Sequence, residues 1–410
     1  MAAGGRSGLS VAAVAVLAIA AGGAIANNYA LQPALATIAH GLHTRSEAVS
    51  LALTGAMAGY LLGLVFLVPL VDRVRPRVLV PAQLAGLAAA LGLAAASPSP
   101  AALLGCFVAV GAMTTVAAES TALVGKLADP ASRGARMGVI ATGVSAGILV
   151  SRIIGGALTG WLGWRAMLCC FALFCLAAAV ATRGVLPGQA PVAASSYFHT
   201  LRSIPGLLVT HPALRRSCAA SMLWFLAFNL IWVGLSVRLA QPPYSLDATA
   251  IGFYGLAGTL GLVLTRIAGR VADRCGARRV IIAGLILATA GAACLVAALG
   301  NPVLTAASLA TFDAGCFTAQ VANQMIVVSL DQDRSGTLSS AYLLLYYAAG
   351  AVGTATAALI LATLGWEMLA VLAAVAVAGA ATVVLAQPRR RVRPTARRPV
   401  ASSSHRLREH

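Results

Sequence analysis

Apolar stretches about twenty residues long, the length of helix that crosses a bilayer, follow one another from residue 9 to residue 386. Polar residues gather in the short gaps between them. Of the 410 residues only 10% are charged and 60% are hydrophobic, whereas a typical soluble domain has roughly 25% charged residues. So few charges cannot cover the surface of a water-soluble enzyme of this size. The chain therefore reads as a polytopic, all-α membrane protein. Helix rather than strand follows from length, because a barrel strand crosses in about ten alternating residues.

The pattern predicts twelve transmembrane helices. Six lie at 9–36, 47–71, 78–96, 101–125, 134–158 and 164–186. After a polar stretch come 213–238, 249–271, 280–299, 303–329, 336–361 and 366–386. Thr44-x-x-Glu47 reads as a capping box opening the second helix, and Pro187 follows the sixth. Arg6, the run from Leu9 and Ala24-Ile25-Ala26 have the outline of a secretory signal. The run nevertheless continues past Asn27-Asn28-Tyr29 to Ala36, so we read it as a retained first helix.

The net charge of +18 does not point to nucleic acid, because the basic residues form short clusters rather than one stripe. With the amino terminus inside, 25 of the 29 Lys and Arg residues fall on the cytoplasmic side, in its loops, the adjoining helix ends and the tail. This predicts a multi-pass protein of the bacterial cytoplasmic (inner) membrane with both termini cytoplasmic. The basic tail, 388–410, is expected to be disordered and drawn to anionic lipid. The eight cysteines include no C-x-x-C pair, and His40 and His43 have no evident third ligand, so no metal site is expected. No G-x-x-x-x-G-K-[ST] loop is present, so no ATP and no cofactor is expected; a proton gradient would supply the energy.

The two halves of the chain echo each other. Asp72-Arg73 recurs as Asp273-Arg274, Leu162-Gly163-Trp164 as Leu364-Gly365-Trp366, and Asn27 as Asn229, at offsets of 201 or 202 residues. Asp129 through Gly134 similarly echoes Asp331 through Gly336. Four matches in register imply two pseudo-symmetric six-helix bundles, 1–190 and 213–387, related by an axis along the membrane normal. The linker, 191–212, places Tyr197, Phe198, Leu201 and Ile204 on one helical face and Arg202 on another. It is either a short interfacial helix or an ordinary connection.

Polar side chains inside the apolar runs concentrate in four helices. The first holds Asn27, Asn28 and Gln32, with Asn28 and Gln32 four apart on one face; the fourth holds Thr115 and Glu119. Asn229 and Trp232 lie in the seventh, and Asp313, Gln320, Asn323 and Gln324 in the tenth. An ionisable group at mid-bilayer costs about 2.5–3.5 kcal/mol on insertion scales, so it normally faces protein or water. Low-dielectric surroundings favour the neutral carboxyl, which can release its proton when hydrated or near a cation. Asp313 and Glu119 are therefore candidates for proton coupling, Asp313 being the deeper; the alternative is a structural carboxyl bonded to a neighbouring helix. Arg152 lies more than about 10 Å inside the outer boundary. It could anchor an anionic substrate, order an outer gate, or snorkel outward. Tyr342 and Tyr346 share a face of the eleventh helix, for cavity or packing. Gly143, Gly147 and Gly350 are read as sites of close helix approach.

The segment Gly59-Tyr60, Gly63, Val68-Pro69-Leu70 and Val71-Asp72-Arg73 resembles the G-x-x-x-D-R-x-G-R-[RK] loop of the major facilitator superfamily. The second copy matches better, with Gly269, Asp273, Arg274, Gly276, Arg278 and Arg279 in place. Asp129-Pro130, Arg133-Gly134, Gly143, Gly147, Arg152, Gly155-Gly156 and Gly163-Trp164-Arg165 are similar to its drug and metabolite exporter branch, which is arabinose efflux permease-like. In the antiporter motif of the fifth helix, Ser151-Arg152 replace the usual glycine and proline.

The resemblance implies a cavity lined by helices 1, 4, 7 and 10, with helices 2, 5, 8 and 11 joining the halves. It implies a cytoplasmic gate from Asp72, Arg73, Arg77, Asp273, Arg274, Gly276, Arg278 and Arg279. The expected function is proton-coupled secondary transport by alternating access, exporting a small amphipathic drug or metabolite by antiport, as a monomer. The alternative is uptake of a small organic anion with protons. An intramembrane enzyme would need polar residues clustered near one face, and here they are spread over several depths.

Overall fold

The computed structural model describes residues 9–129, 132–188, 205–258, 271–272, 274–331 and 335–386. All regular structure among them is helical, and eight helices are long and apolar enough to cross a membrane. Each stretch read from the sequence holds helix, the eighth being described only at 248–258, 271–272 and 274–275. The proposed interfacial face at 197–204, the tail from 388, Arg202 and Asp273 lie outside the described residues.

Helix α1 (Val11–Ala26) opens on Ser10, whose hydroxyl accepts from Ala13 N at 3.1 Å. It stops well before residue 36. Asn27 turns its side-chain amide back to Gly23 O at 2.9 Å, and the chain passes through turns into a 3-10 segment, Gln32–Ala34. Pro33 has no N–H to continue the helix and restricts the residue before it, so helix resumes only as α2 (Leu35–Gly41). The expected single helix is thus two pieces with an irregular middle.

Helix α3 (Ser46–Phe66) is capped by Arg45 backbone alone; the capping box is not formed, because Glu47 pairs with Arg45 at 3.3 Å instead. A 3-10 segment, Val68–Asp72, leads to α4 (Pro76–Ala95). The fourth span is also split, into α5 (Pro100–Met113) and α6 (Val116–Leu127). At the break Thr114 and Thr115 donate their hydroxyls to Gly111 O and Ala112 O, each at 2.7 Å. Hydroxyls that bond back along the chain compete with the helical ladder.

The fifth and sixth spans are α7 (Arg133–Leu162) and α8 (Trp164–Val185); the seventh is α9 (Pro212–Leu239). The visible start of the eighth is α10 (Ala248–Phe253). Helices α11 (Ala277–Ala298) and α12 (Pro302–Ser329) follow, then α13 (Ser335–Leu385), which Gly365 divides into the eleventh and twelfth spans.

The internal repeat is visible in backbone detail. Gly163 and Gly365 both turn the chain in the left-handed region, at φ 86° and 79°, and each is followed by a buried tryptophan. Asn27 and Asn229 make the same bond to the carbonyl four residues earlier, each at 2.9 Å. The halves meet where α3 faces α13, with the Tyr60 and Tyr347 ring centroids 4.3 Å apart, and where α7 packs on α10. These are helices 2, 11, 5 and 8.

Within the first half α1 crosses α7 backbone to backbone. A Cβ on Gly147 would overlap the Gly22 carbonyl, whereas one on Gly125 would meet nothing within 4 Å. Overpacking a tight contact costs typically 1–3 kcal/mol. Gly147→Val should therefore lower the thermal unfolding midpoint of purified protein in detergent, and Gly125→Ala should not.

Candidate functional site

The interruption of the first span positions the site. Released from helix, Gln32 reaches α7 and its Oε1 accepts from Arg152 Nε at 2.7 Å. Arg152 is 1% exposed. Its guanidinium carbon lies 3.9 Å above the Trp232 ring, with Tyr29 at 5.2 Å and Phe228 at 5.5 Å. Aromatic faces carry negative quadrupole density, so they help hold a desolvated cation. Trp232 also donates its indole N–H to Asp313 Oδ1 at 3.1 Å. One indole thus touches an arginine from the first half and an aspartate of its own half. Arg152 and Asp313 attract each other, yet no ion pair within 4.0 Å joins them among the described residues.

Their remaining atoms are free. Nη1 and Nη2 of Arg152 and Oδ2 of Asp313 are buried without a protein partner. Asp313 is fully buried, and Oδ2 points at the eighth span, where a Cβ on Gly258 would lie 2.8 Å from it. Arg152 therefore does not snorkel outward.

Glu119, also fully buried, sits in a separate niche. Its Oε1 accepts from Gln83 Nε2 at 2.6 Å and from Thr115 at 3.4 Å, while Oε2 has no partner. The break between α5 and α6 adjoins it: Thr114 donates to Asn28 Oδ1 at 3.3 Å, and Asn28 Nδ2 is unpartnered. Asn28 and Gln32 thus point into the protein from a turn and a 3-10 segment, rather than from the α-helical face expected of them.

Other candidates are tied elsewhere. Asn229 accepts from Thr354 at 3.2 Å, bracing α9 against α13, and Asn323 donates to Ser217 O at 2.9 Å. Gln320 and Gln324 are half-buried. Tyr346 stacks on Phe225 at 3.7 Å and on Tyr342 at 5.9 Å, inside an aromatic cluster that Tyr347 connects to Tyr60. At the loop ends Asp72 pairs with Lys126, and Arg77 donates to Arg183 O at 3.0 Å. Arg278 donates to Leu385 O at 2.7 Å, while Arg73, Arg274 and Arg279 are exposed. Gly276 turns the second loop at φ 89°; the first has no such turn. These contacts stay within each half.

Sequence reasoning missed Gln83, Tyr29 and Phe228. Gln83 is the one polar side chain in the apolar run 78–96, a signal that a search for polar groups in helices 1, 4, 7 and 10 passed over.

Helical halves that repeat each other, with charges buried where they meet, define a membrane transporter rather than an enzyme. The chain belongs to the Major Facilitator Superfamily, whose family model matches residues 17–354 and 217–409. It is 31% identical over 352 residues to the probable transporter SCO4007 of Streptomyces coelicolor, spanning 83% of this chain and 79% of that protein. It is 28% identical over 346 residues to the transporter YgaY of Escherichia coli O157:H7, spanning 84% and 88%. Among solved structures, a bacterial homolog of the human lysosomal transporter Spinster, inward-facing and unoccupied, has a TM-score of 0.70 at 14% identity, covering 94% of this chain and 95% of that one. The nucleoside transporter NupG gives 0.70 at 13%, covering 92% and 98%. The protein is thus a multi-pass membrane transporter with the major facilitator fold, built to carry a small molecule.

Trp232→Phe keeps a ring beneath Arg152 and removes the donor to Asp313. Leaving a buried acceptor unsatisfied costs about 1–3 kcal/mol. The loss should appear in thermal unfolding and shrink in an Asp313→Ala background; equal losses in both backgrounds would mean the bond contributes nothing.

Proposed function

We propose that this transporter is proton-coupled and exports a small amphipathic compound in exchange for protons. It would sit in the bacterial cytoplasmic membrane with both termini inside, drawing its energy from the proton gradient and acting as a monomer. The observation that carries this reading is Asp313: wholly buried where the halves meet, with one oxygen held by Trp232 and the other free. Arg152 from α7, Trp232 from α9, Cys316 on its own helix and the Gly258 backbone surround it.

The charge arithmetic supplies a switch. Ionised Asp313 and Arg152 attract each other across the halves; a protonated Asp313 gives up that attraction and leaves Arg152 as the sole charge. A proton can thus bias two arrangements of the halves, as any ligand does that binds them unequally. Bundles 1–190 and 213–387 would rock about the central site and expose it alternately to either side. The α7–α10 contact closes the end carrying the 240–247 loop, which positive-inside counting makes the outer end. That supports an inward-facing state, in which cytoplasmic pairs formed by Asp72 and Asp273 with the second-half and first-half arginines would be parted. Glu119 is the second proton candidate. Export follows the resemblance to exporters. Uptake of a small organic anion with protons is the second reading, favoured by the free guanidinium nitrogens of Arg152.

Inverted and right-side-out vesicles under an imposed pH gradient, screened with a compound library, test the reading through the side on which solute accumulates. Asp313→Asn should reduce proton-driven accumulation to that of protein-free vesicles while downhill exchange persists. Proton-driven transport with unaltered pH dependence would overturn the role of Asp313.

A further inference from the structure

The charges at the junction are buried and close, yet they are kept from pairing. Trp232 engages both, taking Arg152 on its face and Asp313 on its N–H edge. What remains is a two-pronged donor edge, Nη1 and Nη2, and a single acceptor, Oδ2, all buried and unpartnered. Burying half-satisfied charges is unfavourable unless something completes them. We infer that the junction is a receptor for a small zwitterion, a molecule carrying a carboxylate-type anion and an ammonium-type cation on one short frame.

The fit follows from geometry and charge. A planar anion can take both guanidinium N–H groups in parallel, the strong arrangement for arginine. An ammonium group can donate to Oδ2. A ligand with no net charge leaves the site as neutral as Arg152 and Asp313 leave it alone, whereas a lone anion or cation would add an uncompensated charge in a low-dielectric place. Tyr29, Phe228 and Trp232 close over Arg152 in this state, each buried, so the ligand enters only as the halves part and these rings turn their apolar faces to it. Glu119 does not compete, being held in its own niche by Gln83 and Thr115.

This rests on the transport reading above and sharpens it. The ammonium group and a proton would claim the same oxygen of Asp313, so loading by one excludes the other, as exchange requires. A simple anion would instead bind best beside a protonated Asp313 and travel with the proton.

The test uses full-length protein in detergent and three probes: radiolabelled phenylalanine, N-acetylphenylalanine (anion only) and phenylalanine methyl ester (cation only). Equilibrium dialysis should show phenylalanine binding at least about tenfold tighter than either derivative, a difference of about 1.4 kcal/mol. Arg152→Gln should abolish the preference over the ester, and Asp313→Asn the preference over the N-acetyl compound. Thr182→Val, a buried substitution in α8 where the hydroxyl bonds back to Ala178 O and Ala179 O, should leave the ranking intact and show that a buried polar substitution alone does not change it. Equal or tighter binding of either derivative, no binding of any probe, or rankings unmoved by the Arg152 and Asp313 variants would each overturn the inference. Proton-driven flux of a screened compound, with none of the three probes bound, would overturn it and leave the transport reading standing. Zwitterion binding without proton-driven movement would do the reverse.

Discussion

Hydrocarbon can neither solvate a cation nor accept a hydrogen bond, and the placement of Arg152 answers that constraint. A guanidinium buried at this depth needs neighbours from several helices, and here they come from both halves: an amide on the first span, faces from Tyr29, Phe228 and Trp232, and the field of Asp313. Each neighbour in turn fixes something else. Gln32 reaches Arg152 only because α1 stops at Ala26; Trp232 settles where Asp313 directs its bonded oxygen. Without Arg152 the junction would be an ordinary apolar seam, and the irregular backbone of the first span would have little to serve.

The two carboxyls divide between the halves. Glu119 belongs to the first and Asp313 to the second, and each keeps one oxygen bonded and one bare. Glu119 lies beside interruptions in the first and fourth spans that touch through Thr114 and Asn28. Irregular backbone at membrane depth is tolerated only where protein or water surrounds it, and in transporters it marks the region where solutes are handled. Thus the broken first span touches both places: Gln32 reaches Arg152, and Asn28 meets the break beside Glu119.

Much of this was readable from the residues because lipid punishes misplaced polarity. Spans, repeat and the burial of Arg152, Asp313 and Glu119 against protein rather than lipid follow from asking what an apolar run cannot tolerate. The breaks were harder. Ala24 through Ala36 is apolar enough to be continuous helix, and only Pro33 and the asparagine side chains undo it; Thr114 and Thr115 are compatible with helix until their hydroxyls turn back. Gln83 escaped notice because one amide in a long apolar run has no periodic partner. The contacts of Asp72 depend on a conformational state, which no residue pattern specifies.

Gly163 and Gly365 are corners of a single residue, so the fifth and sixth helices, and likewise the eleventh and twelfth, have no slack between them. If α7 pulls away from α10, α8 must swing with it as one blade, and its outer surface, with Leu173, Phe174 and Val180 exposed, faces the acyl chains. Any such swing sweeps two blades through lipid, so the viscosity and thickness of the surrounding bilayer enter the pace of the movement.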